Sequence, residues 1–206
     1  MSEAPPAASP IFGRLQAALP FHRAAWAGSG RQAGVLVALT DEAQPRILLG
    51  RRALHLPLHP GEVAFPGGKR EAGDRSPWDT ALREAAEEVS CPPEAVRPLG
   101  ELQALRTRSG YLIFPCVGVI PADLPLHADP GEVAELLLPP LAVFAAPEGW
   151  HARTFPDPDS GQPLRVPHFR LPRDTVWGTS ARVLLELVNI GLRAGLDPET
   201  FVEDVS

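Results

Sequence analysis

Apolar residues come in short runs, separated by proline and glycine. Residues 34–40 and 46–51 are apolar and rich in branched side chains, with a polar turn at 41–45 between them; they predict two strands of one sheet. Residues 99–105 and 111–120 predict two more strands, joined by a turn at 106–110, and residues 153–170 predict a hairpin around 157–161. Residues 11–19 fit a short helix. Residues 176–194 carry the longest helical pattern, with Val183, Leu184, Leu187, Ile190 and Gly191 on one face and Gly195 as the stop. Residues 53–66 hold three prolines and predict a long loop. Residues 132–144 are mixed, because Pro139-Pro140 breaks any continuous helix. No repeat and no second hydrophobic pattern is visible. Strands before, between and after helices predict an α/β layered sandwich: a tail and short helix over 1–30, one domain over 31–196, and a C-terminal tail over 197–206.

One helix carries chemistry. Ser76-Pro77-Trp78-Asp79 is a start signal, with Ser76 placed to cap and Pro77 at the first helical position. Leu82, Ala85, Ala86 and Val89 then recur at helical spacing and predict the face that packs on the sheet. Glu84, Glu87 and Glu88 stand at i, i+3 and i+4 and are expected to point the other way, where like charges repel by roughly 0.2–0.5 kcal/mol per pair. A solvated acidic face explains such a pattern. So does a hard divalent cation, since Mg²⁺ takes carboxylate and phosphate oxygens together. The preceding Gly67-Gly68, expected as a turn, lets backbone approach a ligand and offers a carbonyl.

Composition narrows the partners. The 206 residues carry a net charge of −6, a poor basis for nonspecific binding of nucleic acid. No apolar run is long enough to span a membrane, and residues 1–10 do not predict a signal peptide. Cys91 and Cys116 are too few for a disulfide framework or a zinc site. A cytoplasmic protein is expected, whose partners are a small-molecule substrate and at most a second copy forming a homodimer. His55 and His59 stand four apart, but Pro57 between them argues against a helical zinc pair; His59 is expected in the substrate loop.

The stretch 68–88 resembles the Nudix box, Gly-x5-Glu-x7-Arg-Glu-apolar-x-Glu-Glu-x-Gly-apolar. Gly68 matches its first position, Asp74 stands in for the first glutamate, and Arg83, Glu84, Ala85, Glu87 and Glu88 match its core. The spacer from Asp74 to Arg83 is one residue longer than the pattern, and Ser90-Cys91 replaces the Gly-apolar ending. The resemblance implies a Nudix-type α/β/α sandwich with a mixed central sheet. It implies that Glu84, Glu87 and Glu88, with the Gly68 carbonyl, hold Mg²⁺ or Mn²⁺. Arg83 would orient the glutamates, and the four side chains would form the catalytic set.

Residues 48–68 also resemble the signature that precedes the box in coenzyme A pyrophosphatases. Leu48-Leu49, Arg52-Ala53, Gly61 and Phe65-Pro66-Gly67-Gly68 match without a gap, while Gly50 and Pro57 depart from it. Trp177-Gly178-Thr179 resembles that subgroup's end motif. By this resemblance Arg51, Arg52, His59, Gly61, Phe65 and Lys69 would bind substrate, and coenzyme A would be cut at its pyrophosphate. The alternatives are another nucleoside diphosphate derivative, such as ADP-ribose or a nucleotide sugar, a nucleoside triphosphate, or a sensing module without catalysis. Glu132 is a candidate for the general base.

Overall fold

A computed structural model describes residues 9–20, 26, 28, 30–157 and 161–204. The elements run α1 (Pro10–Ala18), β1 (Gln32–Thr40), β2 (Leu49–Arg52), β3 (Val63–Ala64), β4 (Gly67–Lys69), α2 (Pro77–Val89), β5 (Arg97–Glu101), β6 (Leu105–Arg106), β7 (Leu112–Ile120) and β8 (Val133–Leu137). Then follow β9 (Trp150–Pro156), β10 (Pro163–Arg170), β11 (Thr175–Trp177), α3 (Gly178–Gly191) and β12 (Val202–Glu203), with short 3₁₀ turns between several of them.

The first sheet has the order β4-β1-β7-β5, with β6 also on β7. It is mixed: β1 and β7 are parallel over nine paired residues, from Gln32↔Leu112 to Thr40↔Ile120, and their neighbours are antiparallel. Alternation along β1 sends Val37 and Leu39 into a core shared with α1 and α3, and Leu36 and Ala38 into a second core shared with α2. β7 divides likewise, with Val117 and Val119 on one side and Cys116 and Ile120 on the other. Both faces are therefore covered, which explains why these strands read as nearly continuous apolar runs. This is the α/β/α sandwich with a mixed central sheet that the sequence predicts.

The second sheet runs β12-β9-β10-β11-β3-β2-β8. Here several expectations change. Residues 34–40 and 46–51 do not share a sheet: β1 belongs to the first and β2 to the second, and a single bridge, Leu39↔Ile47, joins them where they diverge. The loop expected over 53–66 contains β3, which pairs with both β2 and β11. Residues 175–177 are strand and not the first turn of α3, because they pair with β10 as far as His168↔Trp177. The expected tail contributes β12, paired with β9. Part of the expected N-terminal tail, residues 1–8, and the hairpin tip at 158–160 lie outside the described residues.

Gly67-Gly68 is also strand, and not a turn. β4 runs antiparallel to β1, with Gly68 opposite Gly34. Glycine is needed on both strands by close approach. A Cβ on Gly34 would meet the first turn of α2, and one on Gly67 would lie 2.5 Å from the Gly34 carbonyl oxygen. The three segments thus close tightly, and α2 is clamped against the sheet edge.

Candidate active site

α2 starts where the sequence predicts. Ser76 Oγ accepts from the Asp79 N–H at 3.2 Å, and Asp79 Oδ2 reaches back to the Arg75 N–H at 2.8 Å. The helix ends at Ser90, in the left-handed region with φ 55°, and the Cys91 N–H returns to the Ala85 carbonyl at 3.1 Å. The helix is rotated from its expected seating. The buried stripe is Trp78, Ala81, Ala85 and Val89, whereas Leu82 and Ala86 are only half-buried. The reason is that α2 sits in the angle between the two sheets and is covered from two directions.

That rotation splits the glutamates. Glu87 stays outward at 58 % side-chain exposure, Glu84 keeps 14 %, and Glu88 is buried with 4 %. Glu88 Oε2 accepts the Gly67 N–H at 3.0 Å. Burial pushes the Glu88 carboxyl up to about 8; the charges of Glu84 and Glu132 push the same way, and the Gly67 N–H and Arg52 only partly oppose them. Glu84 is raised too, first by burial, with Glu87 and Glu132 adding repulsion against the Arg83 pair. So Glu84, Glu88 and Glu132 form one electrostatic cluster, and Glu132 is brought to the site by the segment leading into β8.

Glu84 lies directly over Gly68, where any Cβ would overlap its carboxyl. The bonds Leu36 N–H to Pro66 O at 2.8 Å and Arg70 N–H to Gln32 O at 3.0 Å flank Gly34 and Gly68, which makes those two the hydrogen-bonded pair of the ladder. One lone pair of the Gly68 carbonyl is used there, and a second remains.

Arg83 organises the outer side. Its guanidinium donates to Asp74 Oδ2 at 3.1 Å, Glu84 Oε1 at 2.9 Å, Glu87 Oε2 at 3.2 Å and the Lys69 carbonyl at 3.1 Å. Asp74 is buried and also takes the Thr80 hydroxyl at 2.6 Å and the Glu71 N–H at 2.8 Å. Burial works against its charge, but these partners outweigh it and hold the carboxyl below its ordinary value. Asp74 therefore anchors Arg83.

The expected substrate residues are divided by strand alternation. Gly50, Arg52, Ala64, Phe65 and Pro66 line a narrow cleft of about 10 Å³ beside Glu88 and Val133. Arg51 does not join them. It is tied to Asp174 by two bonds of 2.8 and 2.9 Å and to Glu135 at 2.5 Å. Gly61 lines a separate groove, and His59, in the left-handed region with φ 56°, contacts Glu62 at 2.9 Å. The Phe65 side chain is buried in the core next to α3, and Lys69 lies exposed at the end of β4. Thr80, Trp26 and Glu132 support or complete the site; of these only Glu132 was expected. Trp26 Nε1 donates to the Asp74 carbonyl at 3.1 Å, and neither contact of Trp26 nor that of Thr80 leaves a mark in residue spacing.

The donors suit a hard cation. All are oxygens, and a buried carboxylate beside two others is stabilised by a divalent charge. Among the described residues no three His, Cys, Asp or Glu side chains stand so that they alone could hold a metal ion. Mg²⁺ does not need such a trio, since it retains waters and shares ligands with substrate phosphates.

A NUDIX domain profile matches residues 30–157. The chain is 37 % identical over 179 residues to the uncharacterized Nudix hydrolase NudL of Photorhabdus laumondii, covering 87 % of this chain and 95 % of that one. It is 36 % identical over 185 residues to NudL of Yersinia pestis (strain Pestoides F), covering 87 % and 92 %. The crystal structure of a MutT/nudix family protein from Enterococcus faecalis shares the fold, with a TM-score of 0.50, 17 % identity and coverage of 82 % of this chain and 64 % of that one. The chain belongs to the Nudix family. It is a Nudix pyrophosphohydrolase, an enzyme of small nucleoside diphosphate derivatives from a family that generally uses divalent cations such as Mg²⁺ or Mn²⁺. No helix among the described residues is long and apolar enough to cross a membrane.

Proposed function

We propose that the protein hydrolyses the pyrophosphate of coenzyme A, giving 4′-phosphopantetheine and 3′,5′-ADP. One observation carries this reading. The segment that resembles the coenzyme A pyrophosphatase signature, residues 48–68, forms one wall of the Glu88 cleft through Gly50, Arg52 and residues 64–66.

Glu84 and Glu88 would hold Mg²⁺ or Mn²⁺, with the Gly68 carbonyl and Glu87 as further oxygen donors. The cation, when bound, neutralises phosphate charge and sharpens a water as nucleophile. Arg83, fixed by Asp74, keeps Glu84 and Glu87 in place. Gly67 holds the buried Glu88 by its N–H. Arg52 faces the same cleft and pairs with substrate phosphate. Glu132, whose charge acts on both Glu84 and Glu88, is the carboxylate available to take the proton of the attacking water. The oxygen of that water becomes bonded to one phosphorus, and the bridging P–O bond breaks with its electrons on the departing phosphate. Two buried cysteines outside any disulfide, Cys91 and Cys116, suit a reducing compartment, and we propose that the reaction takes place in the cytoplasm.

The test is product analysis of the purified protein with Mg²⁺ or Mn²⁺ on coenzyme A, ADP-ribose and a nucleoside triphosphate mixture. Preferential release of 3′,5′-ADP from coenzyme A, with ¹⁸O from solvent in only one of its two products, is the expected result. Faster cleavage of ADP-ribose would move the substrate to another nucleoside diphosphate derivative, and inorganic phosphate as first product would overturn the chemistry.

A further inference from the structure

A groove of about 680 Å³ lies next to the glutamate cleft, lined by residues 60–62, by the β10–β11 turn over 170–175, and by Arg153 and Trp177. The groove is wide open to solvent, so a ligand there is held by charge and not by enclosure. Its charge is unevenly committed. Asp174 is bound by Arg51, and Arg170 is bound by Asp204 at 2.8 Å. Glu62 shares a 2.9 Å contact with His59, which offsets its charge only when the imidazole is protonated. Arg153 and Arg173 make no direct ion pair among the described residues; the Arg173 charge is felt by Asp174, whose carboxylate is already held by Arg51, so both guanidinium groups at the groove keep their donors for a ligand. Arg153 is not loose. Its guanidinium lies over the Trp177 ring at 5.7 Å, and the indole is supported by His168 at 4.7 Å and by Phe155 at 6.0 Å.

Register places this groove on the same face of the second sheet as the cleft. Trp177 pairs with His168 and Thr175 with Arg170, so these side chains share one face of the second sheet. Val176 and Val63 pair and turn into the core on the other face, together with Phe169. Ala64, next to Val63, therefore faces the side of Trp177. Ala64 lines the glutamate cleft, whereas Glu62, two residues earlier, lines the groove. Two strand residues span only about 7 Å. A substrate whose pyrophosphate lies at Glu88 can reach both places at once.

We propose that this groove is the subsite for a phosphate monoester of the substrate, remote from the bond that is cut. Arg153 and Arg173 bind the dianion, and Trp177 is the positioning residue that holds Arg153. A guanidinium fork matches phosphate geometry, which suits arginine at this place. Arg51, whose charge is consumed by Asp174 and Glu135, does not supply this contact. The inference rests on the coenzyme A reading for the identity of that phosphate, which is the 3′-phosphate. The chemistry of the groove is independent of it.

The test pairs kinetics with binding. Wild type, Arg153→Gln/Arg173→Gln and Trp177→Phe are compared on coenzyme A and on 3′-dephospho-coenzyme A. Titration calorimetry then measures 3′,5′-ADP against 5′-AMP in the presence of Mg²⁺. The double variant is expected to lose at least about tenfold in kcat/KM on coenzyme A, through KM, with little change on the dephospho substrate. Wild type is expected to bind 3′,5′-ADP at least about tenfold tighter than 5′-AMP, and the double variant equally. Trp177→Phe should raise KM for coenzyme A alone, by a smaller factor, and Arg153→Lys should recover part of the preference. Equal binding of the two nucleotides by wild type, or a preference that survives loss of both arginines, overturns the subsite. If coenzyme A is not cleaved but the arginine-dependent preference is present, the subsite stands and the substrate reading falls.

Discussion

The N–H of Gly67 donates to Oε2 of Glu88 at 3.0 Å, across a contact between a sheet edge and a helix flank. Glu88 is buried there, with its carboxyl pushed up to about 8 by desolvation and by the charges of Glu84 and Glu132. If the proposed cation site is right, a proton and a divalent cation compete for this one carboxylate.

Glu88→Gln keeps an acceptor for the Gly67 N–H and removes the charge. Turnover should fall by at least about 100-fold, because the proposed cation site loses an oxygen donor. The metal-free variant should be more stable than wild type at pH 8, by about 1 kcal/mol or more, or roughly 2–4 °C in Tm. Activity within tenfold of wild type at saturating Mg²⁺ would remove Glu88 from the site.

The pH dependence of the metal-free protein follows the same group. The folded-state value lies above the ordinary 4.5, so the native state holds a proton that the unfolded chain has released. The stabilisation is full below about pH 4.5, and it is lost as pH rises toward about 8. Chemical denaturation in EDTA from pH 5 to pH 8.5 should show declining stability. Added Mg²⁺ should flatten the decline, and its binding at pH 7 should release protons to the buffer.

Asp74→Asn tests the anchor of Arg83. Arg83 keeps Glu84 and Glu87 as partners and 24 % exposure, so losing the Asp74 charge should cost roughly 1.5–3 kcal/mol, the range for a hydrogen bond to a charged group. Because the Asp74 carboxyl is held below its ordinary 3.8, its contribution is present above that value and is lost as pH falls through the lowered one. The variant should therefore match wild type in stability only in strong acid. Its kcat should drop as well, since Arg83 then loses the contact that fixes Glu84.

Gly67 and Gly68 should respond differently to alanine. At Gly67 the new Cβ meets backbone, the Gly34 carbonyl oxygen at 2.5 Å and Val35 Cα at 2.6 Å. Strand pairing must open, at a cost of about 2 kcal/mol or more. At Gly68 the Cβ meets the end of the Glu84 side chain, which can swing away. Gly68→Ala should fold with nearly normal stability and lose at least about tenfold in activity. Thermal melts and initial rates on both variants decide this; a Gly68→Ala enzyme with full activity would show that Glu84 need not sit where it does.

Ser90→Gly should stabilise the protein by about 0.5–1 kcal/mol, because φ 55° costs a serine more than a glycine. The helix end lies past the carboxylates, so kcat should not change. A lower Tm would mean that the serine side chain makes a compensating contact.

Much of this was legible in the chain, and the reason is locality. The helix start at Ser76, the clustering of Glu84, Glu87 and Glu88, and the glycine pair are fixed by neighbours within a few residues. So are the apolar runs of β1 and β7, whose uniform character reflects burial on both faces. The layered class followed from the order of such segments, and the family from one contiguous motif.

Tertiary packing decided the rest. Which glutamate is buried depends on where α2 rests between two sheets, and helical periodicity alone assigned the buried face to Leu82 and Ala86 instead of Trp78 and Ala81. Arg51 and Arg52 are neighbours in sequence, yet pleating sends them to different partners, Arg52 toward the Glu88 cleft and Arg51 to Asp174. The division of 34–51 between two sheets, the strand inside 53–66, and the meeting of Arg153 with Trp177 all rest on pairings between distant segments. No local preference of those residues encodes them, because a strand's partner is chosen by the global arrangement that buries the most apolar surface with every backbone group paired.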